Sequence, residues 1–327
     1  MNVLVVGGAG YIGSHMVRTL DRAGHGVTIL DNLSVGHRNA VTAGEFIRGD
    51  IANQELVESI LAEKKIDAVM HFAASALVAE SVADPAKYFQ NNTLGSFNLL
   101  QAMRTVGVTR IVFSSTCATY GIPDRTPITE STLQLPVNPY GDSKLSVEKM
   151  LDAFCYAYQF SSCALRYFNA AGASPDGDIG EDHTPESHLI PIVLQVALGK
   201  RDHVTIFGSD WPTRDGSCVR DFIHVDDLGN AHLLALEKLS PGISMKLNLG
   251  TGQGFSVREI IAACREVTGH PIPAIEGDRR PGDPPELVAD ASLAKKVLGW
   301  QPKYPDAKTI IKTAWNWHQR YPDGYAE

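Results

Sequence analysis

The amino-acid sequence predicts an α/β fold in which a doubly wound parallel sheet is joined to a smaller C-terminal lobe. In the first half of the chain, short apolar segments rich in Val, Ile and Phe alternate with amphipathic segments. This alternation is typical of a parallel sheet that is covered by helices on both faces. After Asn169 the composition changes, because Gly, Pro, Asp and Glu dominate residues 170–187. Such a segment is expected to be a loop.

Five apolar segments of the first half are predicted to be strands that are buried on both faces. They are residues 2–6, 27–30, 67–72, 110–114 and 163–168. A sixth strand is expected around Phe46 and Ile47. Apolar residues recur at helical spacing over residues 12–23 and 147–158, which predicts helices with one buried face.

The second half is predicted to form most of the smaller lobe, which would bind the substrate. Residues 1–168 are assigned to the sheet domain, and residues 169–218 and 251–327 to the lobe. Residues 219–250 are expected to return to the sheet domain. A helix is expected over 226–239, a strand over 246–249, a second helix over 256–267, and a charged, Pro-rich loop over 276–286.

Composition excludes several classes of protein. The 327 residues are 44% hydrophobic and 20% charged, with a net charge of −8, so no basic excess exists to bind nucleic acid. The five cysteines are scattered without metal-ligand spacing, so neither a disulfide framework nor a metal site is expected. The longest apolar run, residues 68–79, is too short to span a bilayer. No signal peptide is expected before the first strand, so the predicted location is the cytoplasm.

The segment GGAGYIG at residues 7–13 follows the first predicted strand and opens the first predicted helix. Gly7, Gly10 and Gly13 would allow a tight turn, a close backbone approach to a pyrophosphate, and close packing of the helix on the strand. Tyr11 and Ile12 lie in the first turn of that helix, whose free N–H groups attract phosphate. An ordinary glycine-rich turn is the alternative, but the strand–turn–helix context favours a dinucleotide site on a Rossmann-type sheet.

Residues at the ends of the next strands are expected to contact the same dinucleotide. Asp31 ends the second strand, where a carboxylate accepts hydrogen bonds from ribose hydroxyls and repels a 2′-phosphate, so NAD is favoured over NADP. A capping role for Asp31 and a surface position for Asp50 are the alternatives. The remaining residues predicted to bind the cofactor here are Asn32, Asp50, Ile51, Phe72, Ala73 and Ala74.

Tyr140 and Lys144, in the segment YGDSK, are predicted to be catalytic. Residues four apart share a helix face, and a Lys ammonium there would favour the phenolate and lower the pKa of Tyr140. Both residues could also contact the cofactor. Thr116 follows the predicted strand 110–114 and would bridge a sugar hydroxyl and Tyr140. A Thr116 hydroxyl that bonds only local backbone is the alternative.

These segments resemble those of a known family. GGAGYIG, YGDSK and SSTCATYG are similar to the extended short-chain dehydrogenase/reductases, and three further segments narrow the resemblance to the UDP-galactose (UDP-glucose) 4-epimerases. These are RYFNAAGA at 166–173, VRDFIHVDDL at 219–228 and RRPGD at 279–283. The resemblance extends over the whole chain, including the C-terminal segment WHQRYPDGY.

The resemblance implies an isomerase of galactose metabolism that holds NAD tightly and works as a homodimer. Tyr140 would take the proton of the sugar 4-hydroxyl while C4 gives a hydride to the nicotinamide. The 4-keto sugar would then turn in the site and take the hydride back on its other face. Because the sugar must turn, the UDP must be anchored, which implies that Arg220 and Arg280 clamp its pyrophosphate. From the residues alone, each arginine could equally form a surface ion pair.

The resemblance also implies further binding residues. Asn91 and Phe168 would lie near the cofactor. The implied nucleotide-sugar contacts are Asn169, His188, Leu189, Thr205, Ile206, Phe207 and Asp283, together with Thr116, Tyr140 and the two arginines.

Three positions depart from the family pattern. Thr116 stands where many members have Ser, which keeps the hydroxyl. Ala76 stands where many have a Lys that reaches the cofactor phosphates, so that contact is absent or replaced. Leu287 stands where members have either a bulky Tyr or a small residue, which leaves the acceptance of N-acetylated sugars open.

The same fold could support other functions. A 4,6-dehydratase carries Asp-Glu directly after the strand-end Thr, whereas Cys117 and Ala118 follow Thr116 here. A 4-epimerase of UDP-pentoses, UDP-uronates or UDP-N-acetylhexosamines would use the same catalytic residues and stays open. A non-catalytic NAD-binding regulator is disfavoured because both Tyr140 and Lys144 are present, and a structural scaffold needs none of these residues.

Overall fold

The fold follows from the alternating apolar and amphipathic segments. In the computed structural model, residues 1–280 and 282–326 are described. Pro281, within the segment RRPGD, lies outside the described residues. The expected α/β fold with a parallel central sheet is confirmed.

Thirteen strands occur in the part of the chain that the structure describes. They are β1 (Asn2–Val6), β2 (Gly26–Asp31), β3 (Glu45–Arg48), β4 (Ala68–His71), β5 (Arg110–Thr116), β6 (Ser161–Tyr167), β7 (Asn169–Ala171), β8 (Val204–Phe207), β9 (Val219–His224), β10 (Ser244–Leu249), β11 (Gly254–Ser256), β12 (Ala274–Gly277) and β13 (Glu286–Leu287).

Eleven α-helices occur in the same described residues. They are α1 (Tyr11–Arg22), α2 (Gln54–Glu63), α3 (Val78–Ala83), α4 (Pro85–Tyr88), α5 (Gly95–Val106), α6 (Pro139–Tyr158), α7 (Leu189–Ala197), α8 (Val225–Lys238), α9 (Val257–Thr268), α10 (Ser292–Leu298) and α11 (Ala307–Arg320). A π-helical turn, Phe89–Leu94, connects α4 to α5.

Seven strands form one parallel sheet in the order β10-β6-β5-β4-β1-β2-β3. Successive side chains of a strand point to opposite faces, so each strand contributes to two cores. One core packs β-strand residues such as Val3 and Val5 against α1, α8 and α10. The other packs residues such as Leu4 and Val6 against α2, α5 and α6. Helices therefore cover both faces, as a doubly wound sheet requires.

The segment 219–250 divides between two parts of the structure. Strand β10 is an edge strand of the large sheet, and α8 packs against α1. Strand β9 instead lies in a small sheet, where it pairs with β7, β11 and β13. Helix α10 and Trp300 pack in the same core of the large sheet as Val3 and α8. The chain therefore passes between the large sheet and the small sheet more than once. The proposed division into domains stays a prediction.

The remaining second-half elements form a separate core. Residues of α7, α9 and α11 pack together with strands β7, β8 and β9. Strands β8 and β12 pair with each other in parallel. The segment 276–286, expected to be a loop, thus contains the end of β12 and the start of β13. Among the described residues, no helix combines the length and the apolar character that crossing a bilayer would require.

Trp300 should contribute strongly to the stability of this fold. Its side chain is fully buried, and its indole N–H donates to the Asp227 carbonyl over 3.0 Å. We expect Trp300→Ala to lower the free energy of unfolding by about 3–5 kcal/mol, because it leaves a cavity and an unpaired carbonyl. Urea denaturation followed by circular dichroism measures this.

The matched control is Leu133→Ala, because Leu133 is 71% exposed. We expect it to change the free energy of unfolding by less than about 0.5 kcal/mol. Equal effects of the two substitutions would contradict the assignment of Trp300 to the core.

Candidate functional site

The glycine turn between β1 and α1 is built by direct contact of backbone on backbone. Gly7 has a φ of +78°, and a Cβ atom on it would lie 2.4 Å from the backbone nitrogen of Ala73. A Cβ atom on Gly13 would lie 2.0 Å from the carbonyl oxygen of Gly7. Both positions therefore require glycine, for the turn itself and for the packing of α1.

The N-terminus of α1 is suited to bind an anion. Gly10 is the N-cap, and no side chain caps this end of the helix. The free N–H groups in the first turn of α1 and the positive end of the helix dipole therefore face the glycine turn that precedes the helix. Tyr11 leaves this space free, because its hydroxyl donates to the Gly172 carbonyl over 2.6 Å, and Ile12 packs against the core.

Asp31, Asn32 and Asp50 lie together at the ends of β2 and β3. The Asp31 carboxylate accepts the Ala9 N–H over 2.9 Å and the Leu33 N–H over 2.8 Å, so the local role considered for it is present. Burial raises the pKa of this carboxyl, and the two N–H groups lower it. The Asn32 amide donates to Asp50 over 2.7 Å. The Asp31 carboxylate, which is hydrogen-bonded to the glycine turn through Ala9, fits the ribose hydroxyls of NAD and would repel a 2′-phosphate.

The other residues predicted to bind the cofactor surround this turn. Ala73 donates to the Val6 carbonyl over 3.1 Å, Phe72 packs on His232, and Ala74 follows in the half-buried loop after β4. Ile51 is buried, and a Cβ atom on Gly95 would lie 2.8 Å from its Cδ1 atom.

The π-helical turn, where Asn91 lies, joins the cofactor side to α6. Asn91 donates to the Ser75 hydroxyl over 3.2 Å, and Asn92 donates to the Ser143 hydroxyl over 3.0 Å. Sequence reasoning missed Asn92 and Ser143. π-Helical turns are frequent at functional sites, because the extra residue redirects side chains.

Tyr140 and Thr116 lie next to each other where α6 begins and β5 ends. Asn138 caps α6 by accepting the Gly141 N–H over 2.9 Å, and Pro139 opens the helix, which places Tyr140 in its first turn. The Thr116 hydroxyl accepts the Ala118 N–H over 3.1 Å and also acts on the phenol of Tyr140. Thr116 therefore contacts both local backbone and Tyr140, and its bridge to a sugar hydroxyl stays a prediction.

Burial dominates the acidity of Tyr140. Desolvation raises the pKa of its phenol to about 12, against the lowering effect of the Thr116 hydroxyl. Lys144 is not among the groups that shift the pKa of Tyr140 in this structure, so the expected lowering by Lys144 is not seen here. The Lys144 ammonium donates to the Ser114 carbonyl over 2.8 Å and lies 4.9 Å from the centre of the Phe113 ring. Burial lowers the pKa of Lys144 to about 7.

A buried ion pair that sequence reasoning missed lies behind Thr116. Arg166 donates to Glu148 through Nε over 2.9 Å and through Nη2 over 2.6 Å, and both residues are 1% exposed. Arg166 also donates to the Tyr120 hydroxyl over 2.8 Å, and Ser115 donates to Glu148. The network connects α6 to β5 and β6, so it fixes Tyr140 relative to Thr116. Two charged residues within apolar segments were the available signal.

The predicted nucleotide-sugar residues of the second half form a group around β8, β9 and β13. Arg220 lies with one nitrogen 3.8 Å from an Asp283 oxygen, which is the ion pair considered as an alternative role. The Arg280 guanidinium lies 3.8 Å above the centre of the Phe207 ring. Arg280 forms no ion pair with any described residue. A flat cation on an aromatic face suits a diphosphate joined to a planar base.

Other predicted contacts have different surroundings. The Asn169 amide donates to the Asp221 carbonyl over 2.9 Å, and Phe168 is buried beside Tyr120. Thr205 and Ile206 lie in β8, where Ile206 belongs to the core. Leu189 is the first residue of α7, and His188 is its N-cap residue. The His188 ring lies 2.8 Å from Glu181 and 3.0 Å from Glu186.

Cys117 connects the two groups of residues. Burial raises the pKa of its thiol to about 12, while the positive charge of Arg220 lowers it. Cys117 in turn raises the pKa of the Tyr140 phenol. Cys117 also packs with Leu287, which pairs with Arg220 across β13 and β9, so the end of β5 lies near β9.

Comparison with known proteins agrees with this geometry. Residues 3–250 match the model of the NAD dependent epimerase/dehydratase family. The chain is 55% identical over 327 residues to a UDP-glucose 4-epimerase of Halalkalibacterium halodurans, covering 100% of this chain and 98% of that protein. A crystal structure of a UDP-glucose 4-epimerase superposes with a TM-score of 0.97 at 49% identity and 100% coverage of both chains. The Bifidobacterium longum UDP-glucose 4-epimerase in complex with NAD+ and UDP superposes with a TM-score of 0.95 at 38% identity, covering 99% of this chain and 100% of that one.

The chain belongs to the NAD dependent epimerase/dehydratase family. Its similarity over the full length to UDP-glucose 4-epimerases confirms the resemblance that the motifs predicted. The dependence on NAD that the glycine turn predicted is confirmed at the level of the family.

The buried ion pair behind the site should be essential for stability. We expect Glu148→Gln to lower the free energy of unfolding by about 3–5 kcal/mol, because it leaves Arg166 buried without a counter-charge. The control is Glu45→Gln, which breaks the exposed pair between Glu45 and Lys64. That change should cost less than about 1 kcal/mol. Urea denaturation compares the two, and a loss below 1 kcal/mol for Glu148→Gln would contradict the prediction.

Proposed function

We propose that the chain is a UDP-glucose 4-epimerase, an isomerase that uses NAD to interconvert UDP-glucose and UDP-galactose. One observation carries the proposal. Thr116 and its neighbour Tyr140 lie at the end of β5, in the same parallel sheet as the glycine turn after β1, and Cys117, which follows Thr116, packs with Leu287, the neighbour of Arg220 across β13 and β9. A nucleotide sugar anchored at the Arg220 and Phe207–Arg280 group would reach Tyr140 with its hexose. The similarity to UDP-glucose 4-epimerases over the whole chain supports the same substrate.

The residues of the glycine turn fit NAD. The space that a Cβ atom on Gly7 or Gly13 would fill, the uncapped end of α1 and the carboxylate of Asp31 supply what a dinucleotide with a free ribose 2′-hydroxyl requires. Bound NAD supplies the group that accepts a hydride from sugar C4 and returns it. Ala76 provides no cation to the phosphates, so the N–H groups of α1 take that role.

Tyr140 would act as the base that removes the proton of the 4-hydroxyl, and as the acid that returns it. A phenol with a pKa near 12 is a weak base at neutral pH, so a positive charge must come close to it. Lys144 lies one helical turn further along α6 and can supply this charge when its ammonium leaves the Ser114 carbonyl. Thr116 would hold the sugar hydroxyl against the phenol.

Arg220 and Arg280 would hold the diphosphate while the hexose turns. Arg220 is anchored by its bond of 2.9 Å to the Val219 carbonyl and by Asp283, whereas Arg280 rests on Phe207. An anchor remote from C4 leaves the sugar free to present either face. Leu287 pairs with Arg220 across β13 and β9 and packs near Phe168, so its size would limit the substituents that the sugar carries.

The proposal includes a homodimer in the cytoplasm. Exposed aromatic residues on the neighbouring helices α5 and α6 support self-association. Phe97 is 39% exposed, Tyr158 46% and Tyr156 89%. Apolar patches of this kind on a surface mark sites of association. Light scattering after gel filtration would measure the mass, and a monomer at micromolar concentration would contradict the homodimer.

The decisive test of the activity is Tyr140→Phe. Purified protein is incubated with UDP-galactose without added reductant, and UDP-glucose is followed by chromatography. We expect the wild type to convert the sugar and Tyr140→Phe to lose activity by about 10²–10⁴-fold, because it lacks the proton-transferring hydroxyl. Ser146→Ala, which removes a hydroxyl of the same helix that donates only to the Asp142 carbonyl, is the control and should keep the wild-type activity. Failure of folded, NAD-loaded wild type to convert UDP-galactose would overturn the proposed substrate and favour a UDP-pentose or UDP-uronate.

The neighbouring arginines allow a matched test of nucleotide binding. Arg280 is free of ion pairs to described residues, whereas Arg279 is bound to Asp210 over 2.7 Å and lies on Trp211. Loss of a charge-assisted hydrogen bond to phosphate costs about 1.5–3 kcal/mol. We therefore expect Arg280→Ala to raise KM for UDP-galactose about ten- to a hundredfold, since each 1.4 kcal/mol is tenfold. Arg279→Ala should leave KM within about twofold, and the reverse order would contradict the anchor.

A further inference from the structure

Four side chains meet in the loop between β7 and α7, and only His188 among them was expected to contact the nucleotide sugar. These are Glu181, His183, Glu186 and His188, here called the 181–188 cluster. One oxygen or nitrogen atom from each lies within 4.8 Å of those of the other three. The two glutamate side chains are 4% exposed, and the two histidines are 22% and 45% exposed. The cluster is thus closed on the protein side and open beside His188.

The distances inside the cluster are those of ligands around one small cation. His188 Nδ1 lies 2.8 Å from Glu181 Oε1 and 3.0 Å from Glu186 Oε1. His183 Nδ1 lies 3.3 Å from Glu181 Oε1 and 3.8 Å from Glu186 Oε2. Zinc binds nitrogen and oxygen at about 2.0–2.2 Å in a tetrahedron, whose ligands are then about 3.3–3.6 Å apart. The four contacts lie within about half an ångström of these separations, and all four ligand atoms lie within 4.8 Å of one another, so binding needs a small contraction of the cluster.

Two atoms of the cluster are buried without a hydrogen bond. Glu181 Oε1 and His183 Nδ1 have no hydrogen-bond partner among the described residues. Buried polar atoms are rarely left unpaired, because each costs its full desolvation energy. The neighbouring nitrogens of His183 and His188 lie 3.3 Å and 2.8 Å from Glu181 Oε1 without the angles of a hydrogen bond, whereas a metal ion between these atoms would satisfy them all.

The surroundings fix the glutamates and balance the charge. Glu186 Oε1 accepts the backbone N–H groups of Ser187 over 2.7 Å and of His188 over 2.8 Å. Such bonds orient a ligand before the metal binds. Histidine binds a metal ion through a neutral imidazole, so the metal-binding form of the cluster has a charge of −2 from its two carboxylates, which one divalent cation cancels. Mixed nitrogen and oxygen ligands favour zinc among the divalent metals that proteins hold in tetrahedral sites.

We propose that Glu181, His183, Glu186 and His188 bind one Zn²⁺ ion that has a structural role. Four protein ligands complete the tetrahedron, so no position is left for a reacting water, in contrast to catalytic zinc sites. The sequence analysis expected no metal site because it considered the cysteines alone. The spacing Glu-x-His-x-x-Glu-x-His was the signal that it did not use.

The ion would connect three parts of the structure, which are the glycine turn, the C-terminal segment and the start of α7. His183 packs edge-on against Tyr11 at 6.2 Å, next to the glycine turn. Tyr325 donates its N–H to Asp182 over 2.8 Å, and the Gly180 N–H donates to the Tyr325 hydroxyl over 2.9 Å, which connects the loop to the C-terminal segment. His188 caps α7. The proposal does not rest on the epimerase activity.

The metal content of untagged protein, purified without chelator, is measured by inductively coupled plasma mass spectrometry. We expect about one zinc per chain in the wild type and less than about a tenth in the double variant His183→Gln/His188→Gln, which keeps polar side chains but loses both nitrogen ligands. The control His203→Gln, which changes an exposed histidine outside the cluster, should retain about one zinc. Retention of zinc by the folded double variant would overturn the proposal.

A second measurement does not depend on how the variants fold. Wild-type protein is stripped with a chelator and titrated with Co²⁺. We expect the visible absorption of tetrahedral Co²⁺ to reach its maximum at about one equivalent and to disappear when Zn²⁺ displaces the ion. The melting temperature should rise on adding Zn²⁺, because only the folded chain presents the site. Absence of zinc in the purified protein together with absence of Co²⁺ absorption would show a metal-free ion-pair cluster and overturn the proposal.

Discussion

The close approach of backbone to backbone at the glycine turn is the constraint on which the rest of the site depends. Gly7 meets Ala73, and Gly13 meets the carbonyl of Gly7, at distances that admit no side chain. These contacts bring the ends of β1 and β4 together with the start of α1. As a result, the free N–H groups of α1 face the same edge of the sheet at which β5 presents Thr116. Parallel strands make this arrangement possible, because their carboxyl ends share one edge.

Burial at that edge has a cost that the chemistry must overcome. The two groups expected to exchange and stabilise a proton are both shifted towards their neutral forms, since the pKa of Tyr140 is raised to about 12 and that of Lys144 is lowered to about 7. Burial therefore favours the neutral phenol of Tyr140 and the neutral amine of Lys144 while Lys144 is bound to the Ser114 carbonyl. The same low dielectric would strengthen the interaction when a positive charge comes next to the phenol. The protonation of Tyr140 is therefore expected to respond strongly to a small movement of charge.

The long elements were predictable from the sequence and the short ones were not. The predicted strand at residues 2–6 matches β1, and the predicted helix over 226–239 differs from α8 by one residue at each end. Strands β7, β11 and β13 contain two or three residues, which is too few for a periodic pattern, and tertiary pairing with β9 defines them. Similarly, spacing placed Tyr140 and Lys144 on one helix, but the direction of the Lys144 ammonium depends on the Ser114 carbonyl, a contact between elements distant in sequence.

The two halves of the candidate site are held in different ways, and this suits their proposed tasks. The Tyr140 side is fixed by the buried Arg166–Glu148 pair. All three nitrogens of the Arg166 guanidinium donate hydrogen bonds, two to Glu148 and one to the Tyr120 hydroxyl. The side around Arg220, Arg280 and Phe207 is built on short strands, with an exposed Arg280 and a long ion pair of 3.8 Å between Arg220 and Asp283. Rigid groups are needed where a proton and a hydride move over short distances. An adaptable arginine pair is better suited to a diphosphate that must stay bound while the attached sugar turns.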